Sequence, residues 1–162
     1  MTSEAVYGIG FEGAPDIGRA GEFGWLHFFG VETREVVIVS PGPSWYVGHW
    51  YGGRMRPCGG EKCAYCDQGV GRQRRWVCWV YELEGRSNYV WEFGDTVCAL
   101  LRKESELRGG FKGLYMKIAR KAHSKNARLE IDVLGVSEEH YSNNGDLPEL
   151  RGILEATWAS LG

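Results

Sequence analysis

The chain has 162 residues, 43% of them apolar and 25% charged, with a formal net charge of −2; that balance fits one globular domain around a single core. No stretch approaches the roughly 18–20 consecutive apolar residues of a membrane helix, and the first residues lack the basic, apolar and small-residue pattern of an export signal. The expectation is therefore a cytoplasmic protein that does not engage membranes, with its five cysteines serving as metal ligands or buried thiols, not disulfides.

The charge is strongly segregated. Residues 1–39 are net −4, 40–101 net +1, 102–128 net +7 and 129–162 net −6. A weakly acidic whole is therefore compatible with a polyanionic partner, because local patches decide binding. Seven Trp, eight Tyr and six Phe exceed what one core of this size needs, so some rings are expected at the surface, where Trp and Tyr mark binding faces.

Residues 1–24, with glycines at 8, 10, 13, 18, 21 and 24, lose much entropy on ordering and read as an irregular arm ahead of a single domain spanning 25–162. Residues 25–29 and 34–39 read as two short strands joined by a hairpin link; the second is rich in β-branched residues. Ser40 to Ser44, with prolines at 41 and 43, is expected to break the sheet. A metal-binding subdomain follows at about 45–71. Residues 72–83 predict a long strand with Trp76, Cys78 and Val80 on one face and Val77, Trp79 and Tyr81 on the other; apolar residues on both faces require cover on both. Residues 88–93 form the return strand. Asp95 is read as the N-cap of a helix from about 96 to 107, stopped by Gly109 and Gly110. Residues 113–121 and 127–134 alternate and form a hairpin around the basic turn from His123 to Lys125. After a loop from Ser142 to Asp146, residues 148–161 form an amphipathic helix with Leu150, Ile153, Leu154, Trp158 and Leu161 on its apolar stripe, expected to pack on the protein's own core.

These elements predict a mainly β, α+β fold: a small Greek-key, OB-like barrel with an inserted zinc loop, one mid-chain helix and a C-terminal helix. A helix between the third and fourth barrel strands is the OB arrangement; an SH3-like barrel or an open α+β sheet are the alternatives.

The segment from His49 to Cys66 carries the clearest chemistry. Cys63 and Cys66 form a C-x-x-C knuckle, Cys58 lies five residues earlier and His49 nine before that. Zinc takes thiolate sulfur and neutral imidazole in a tetrahedral set, and the knuckle turn brings two sulfurs to the same side of one ion. His49 is the nearest remaining imidazole; Cys78, Asp67 and His123 are the other candidates for the fourth position. Four protein ligands leave no open position, so the zinc is expected to be structural. Cys78 and Cys98 read as core thiols.

Around this segment aromatic and basic residues interleave: Trp45, Trp50, Tyr51, Arg54 and Arg56 before or between the ligands, then Arg72, Arg74, Arg75 and Trp76. The basic stretch adds Tyr115, Lys117, Arg120 and Lys121 as a second wall. Rings on which bases stack, beside guanidiniums that meet phosphates, are what a single-stranded nucleic-acid groove requires.

The order His49, Cys58, Cys63, Cys66, followed by an aromatic strand, resembles the zinc-containing OB-fold single-stranded DNA-binding proteins of the T-even-type phages and their shorter relatives. The resemblance covers roughly residues 25–134. It implies an OB fold with an inserted zinc loop, these four residues as ligands, and sequence-tolerant coating of single-stranded DNA in replication, recombination or repair. Self-association or contact with replication and recombination proteins would accompany that role. The ligand spacing here is compact, residues 1–24 are acidic where the family carries a basic cooperativity arm, and no long disordered acidic tail follows, so cooperative filament formation does not carry over. The alternative is an RNA-binding or protein–protein adaptor module with a structural zinc loop. The sequence contains no G-x-S-x-G, P-loop, H-E-x-x-H or deaminase motif, and no enzymatic activity is expected.

Overall fold

A computed structural model describes residues 25, 26, 28, 32–121, 128–137, 147 and 149–159. The expected N-terminal arm, the basic turn at His123 to Lys125, the loop from Ser142 to Asp146 and both ends of the expected C-terminal helix lie outside these residues.

The elements in order are β1 (Glu32–Ile38), β2 (Ser44–Tyr51), β3 (Arg54–Pro57), a 3-10 turn (Gly60–Lys62), α1 (Ala64–Asp67), β4 (Gln73–Glu82), β5 (Ser87–Phe93), α2 (Asp95–Arg108), β6 (Leu114–Arg120), β7 (Leu129–Val136) and α3 (Leu150–Ala159). The fold is mainly β. Among the described residues, seven strands form one antiparallel sheet in the order β3-β2-β4-β1-β6-β7, with β5 also paired to β4. Hydrogen bonding among the described residues leaves the sheet open between β5 and β7.

Strand β4 is the axis. One edge pairs with β5 from Trp76 to Glu82. The other is shared: β2 takes the first half and β1 the second. Ile38 faces Val80 and Ser44 faces Val77, so the five residues from Val39 to Pro43 span only Cys78 and Trp79. This is a bend larger than an ordinary two-against-one bulge. The N–H groups of Val39 and Ser40 both donate to the Trp79 carbonyl, at 2.9 and 3.4 Å, and the Trp79 N–H donates to Ser40 Oγ at 2.8 Å. Pro41 and Pro43, which lack a donor, fall where none is required. The proline segment that sequence reading took as a break is thus a bend in one continuous edge.

Alternation along β4 builds two cores. Cys78 and Val80 join Val36, Ile38, Trp91, Phe93, Leu114, Met116 and Ile118, closed by Leu101 of α2. Val77 and Trp79 face the other way with Val39, Tyr46 and Val90, under Leu150 and Leu154 of α3. Both faces are apolar because both carry a helix, and the terminal helix packs on its own sheet, as its stripe predicted.

Three local expectations change. Trp25 and Leu26, expected in a hairpin partner of β1, lie against β5 instead: Trp25 makes a parallel bridge to Val90, and the Leu26 N–H donates to the Val90 carbonyl at 2.8 Å. Asp95 is not the N-cap of α2; Gly94 holds that position, no side chain caps it, and the Asp95 carboxylate accepts from Arg74 and Trp76 instead. The stretch read only as metal loop contains the β2–β3 hairpin. Its two-residue turn is Gly52-Gly53, with φ of 61° and 78°, the left-handed pair that a tight hairpin turn demands.

Candidate metal centre and adjoining aromatic surface

The hairpin delivers the first donor. His49 lies on β2 with its side chain fully buried. Beyond β3 the chain stays attached to β2 through the Cys58 N–H, which donates to the Val47 carbonyl at 2.9 Å, and this places Cys58 beside His49. The 3-10 turn and α1 then fold Cys63 and Cys66 back over the pair.

One donor atom from each of His49, Cys58, Cys63 and Cys66 lies within 4.8 Å of all the others. His49 Nε2 is 3.4 Å from Cys63 Sγ and 3.5 Å from Cys66 Sγ, and Cys58 Sγ is 3.6 Å from Cys66 Sγ. Tetrahedral bonds of 2.0–2.3 Å separate neighbouring ligand atoms by roughly 3.3–3.8 Å, a range that contains these three separations. His49 Nδ1 lies 3.1 Å from the Val70 carbonyl and 3.0 Å from that of Gly71. Two acceptors at Nδ1 fix the proton there and leave the Nε2 lone pair aimed at the sulfurs, the outer-shell arrangement of a metal-binding histidine.

The thiols are tuned unequally. The Gly59 backbone N–H pulls the Cys63 thiol down to about 6, and that of Gly60 lowers Cys58. Burial pushes Cys66 up to about 11. Hydrogen bonding to Cys58 raises His49. Of the other candidates for the fourth position, Cys78 sits in the first core with its thiol pushed up by burial, Asp67 is not among the four grouped donors, and His123 lies outside the described residues.

Tyr65, on α1 between two of the cysteines, ties this group to the surface. Its ring is 5.6 Å from His49 and 5.1 Å from Tyr51. Sequence reading passed over it, although an aromatic inside the knuckle was a visible signal.

The expected contact residues divide in two. Trp45, Trp50, Tyr51, Arg54, Arg56, Arg72, Arg74, Arg75 and Trp76 gather where β2, β3 and the start of β4 adjoin. Trp45, Trp50 and Tyr51 are 62%, 58% and 45% exposed. Tyr115, Lys117 and Arg120 lie on β6, and Lys121 directly follows it; β4 and β1 separate that strand from β2 in the sheet. Several cations already have partners. Arg74 pairs with Asp95 at 3.0 Å, Arg75 with Glu92 at 3.3 Å, Lys117 with Glu35 at 3.6 Å and Lys121 with Glu130 at 2.7 Å. Arg56 Nε donates to the Tyr51 carbonyl and an Arg120 guanidinium N–H to that of Phe28. Glu92 also accepts from the Tyr46 hydroxyl. Arg54 and Arg72 are exposed.

No helix among the described residues is long and apolar enough to cross a membrane. No family model and no curated protein sequence matches the chain.

Proposed function

We propose that this chain binds single-stranded DNA without sequence preference, on an OB-like barrel braced by one structural zinc ion. The bent path of β1 and β2 counts as the first barrel strand, β4 and β5 as the second and third, and β6 and β7 as the fourth and fifth. Helix α2 then falls between the third and fourth, as in an OB fold. The metal segment is the insertion between the first two strands.

Three thiols and one imidazole suit zinc, and four protein donors saturate it. When bound, the ion supplies a fixed crosslink between β2, the end of β3 and α1. The protein's own residues do the recognition. The observation that carries the reading is the trio of exposed rings, Trp45, Trp50 and Tyr51, on the hairpin that the metal site braces and near the exposed guanidiniums of Arg54 and Arg72. A base stacked on such a ring gains about 1–3 kcal/mol whatever its identity, which gives tolerance of sequence. The acidic partners of Arg75, Lys117 and Lys121 reduce the cations available to phosphate, so stacking carries a larger share of affinity than charge does.

The test is binding of labelled poly-dT, poly-rU and duplex DNA across a salt series. Tight binding to poly-dT, weak binding to duplex and a shallow salt slope are expected. Equal binding to poly-rU reassigns the site to RNA. No binding to either strand at low salt overturns the nucleic-acid reading and favours the adaptor alternative.

A further inference from the structure

Building on the single-strand reading, on which it rests, we propose that Trp45, Arg74, Trp76 and Asp95 form a one-nucleotide subsite. A base stacks on Trp45, the adjoining phosphate takes the outer N–H groups of Arg74, and Asp95 is the residue that positions Arg74.

Trp45 and Trp76 stand directly opposite each other across β2 and β4, so their side chains share a face of the sheet. Their environments differ. Trp76 packs against the first core, and its indole N–H donates to Asp95 Oδ1 at 2.7 Å. Trp45 is 62% exposed and offers its ring to whatever arrives. The neighbouring Tyr46 points to the opposite face and is covered by Trp158 of α3, 5.2 Å away ring to ring. Tyr46 is therefore taken, and beside Trp76 it is Trp45 that remains as the open platform.

Arg74 completes the site. Its guanidinium lies over the Trp76 ring, 5.0 Å from the centroid, and its Nε donates to Asp95 Oδ1 at 3.0 Å. A guanidinium carries five N–H donors in a rigid plane. With Nε engaged by the carboxylate and the ring beneath, the outer edge formed by the two terminal nitrogens is the edge left for an anion. A phosphate can meet them there with two parallel bonds. Asp95 is held in the first turn of α2, so the clamp is anchored to the scaffold. Its negative charge also disfavours a polyphosphate, which points to one nucleotide unit of a strand as the occupant.

The experiment uses the full zinc-loaded chain and fluorescent oligo-dT, titrated at several salt concentrations. Trp45→Ala is expected to weaken binding about tenfold with its salt slope unchanged, and Trp45→Phe to recover most of the loss. Arg74→Ala is expected to weaken binding and to flatten the slope by about 0.7, the loss of one phosphate contact on a single strand. Asp95→Asn keeps an oxygen acceptor for Trp76 and Arg74 and removes the charge, so it should bind as well as wild type or better. Asp95→Ala should bind several-fold more weakly although it, too, removes a negative charge. Charge alone would make Asp95→Ala bind tighter, and that result overturns the positioning role. Wild type that binds, beside Trp45→Ala and Arg74→Ala variants that bind equally well, removes the subsite and leaves the single-strand reading standing. Wild type that does not bind removes both. Matched thermal melts confirm that the variants, all at surface or half-buried positions, remain folded.

Discussion

Replacing His49 separates the two jobs of its ring. Nε2 faces the sulfurs of Cys63 and Cys66, and Nδ1 faces the carbonyls of Val70 and Gly71. Free zinc a thousandfold above its dissociation constant adds about 4.1 kcal/mol to folding. In a domain of this size each kcal/mol moves the melting temperature by about 2–4 °C, so a chelator should lower the wild-type melt by roughly 8–16 °C. His49→Ala deletes a donor and leaves the two carbonyls without their N–H partner. It should melt below chelated wild type and respond only weakly to chelator. His49→Cys restores a fourth thiolate but not the bond at Nδ1. Its chelator response should return while its zinc affinity stays about 10–100-fold below wild type, the usual cost of losing an outer-shell partner. Thermal melts with and without chelator, paired with metal analysis, read all three. One zinc per chain in His49→Ala, with a wild-type chelator response, would refute His49 as a ligand. Wild type with no metal and no response would refute the centre itself.

Leu154→Ala, in the second core beneath α3, should cost about 2–5 kcal/mol in denaturant melts while leaving zinc content at one per chain. Gly48→Ala would place a Cβ 2.8 Å from the Arg56 carbonyl oxygen and 2.8 Å from Met55 Cε; the backbone oxygen cannot yield cheaply, so about 1–3 kcal/mol of stability should be lost, along with zinc affinity, because Gly48 pairs with Pro57 between the donors His49 and Cys58. The Arg74 guanidinium, then the Trp76 indole N–H, hold the Asp95 carboxyl below its ordinary range. A carboxyl depressed in the folded state stabilises at every pH above its unfolded value, near 3.9, and loses that contribution as pH falls through the lower folded value. The difference in Trp fluorescence between wild type and Asp95→Asn should therefore stay flat down to about pH 4 and change only below it; a transition above pH 5 would contradict the pairing.

What could be read from the residues alone was what local pattern determines. The alternation from Trp76 to Tyr81 foretold a strand with two apolar faces, and the structure supplies a helix for each. The ligand set was legible because its spacing is short and three of its members are thiols. The hairpin from Ser44 to Pro57 was missed because metal-loop chemistry claimed the segment first, although Gly52-Gly53 marked the turn. Long-range partners were not legible. Arg74 and Asp95 are 21 residues apart, Arg75 and Glu92 are 17 apart, and nothing in either neighbourhood announces the other. Asp95 shows the competition directly: its position before a helix favours a capping role, yet a guanidinium and an indole N–H within reach outbid the backbone.

The arrangement of rings on β2 gives the metal centre its meaning. Along this strand Trp45, His49 and Tyr51 share one face, while Tyr46 and Trp50 share the other. Tyr46 is committed to α3 through Trp158, and His49 is committed to the cysteines. Trp45, Trp50 and Tyr51 remain exposed at the two ends of the strand. A two-stranded hairpin reaching beyond the sheet is at best marginally stable by itself, and rings on a fraying hairpin would have to be ordered anew by each base they met. With an ion bound, the donor set would prevent this by joining β2 to the residue after β3 and to α1, and Tyr65 would extend the brace to Tyr51. On the proposed single-strand reading, the ordering entropy would be met at folding and metal loading, before a strand arrives. This predicts that metal removal weakens strand binding through loss of preorganisation, although no proposed strand contact involves the metal.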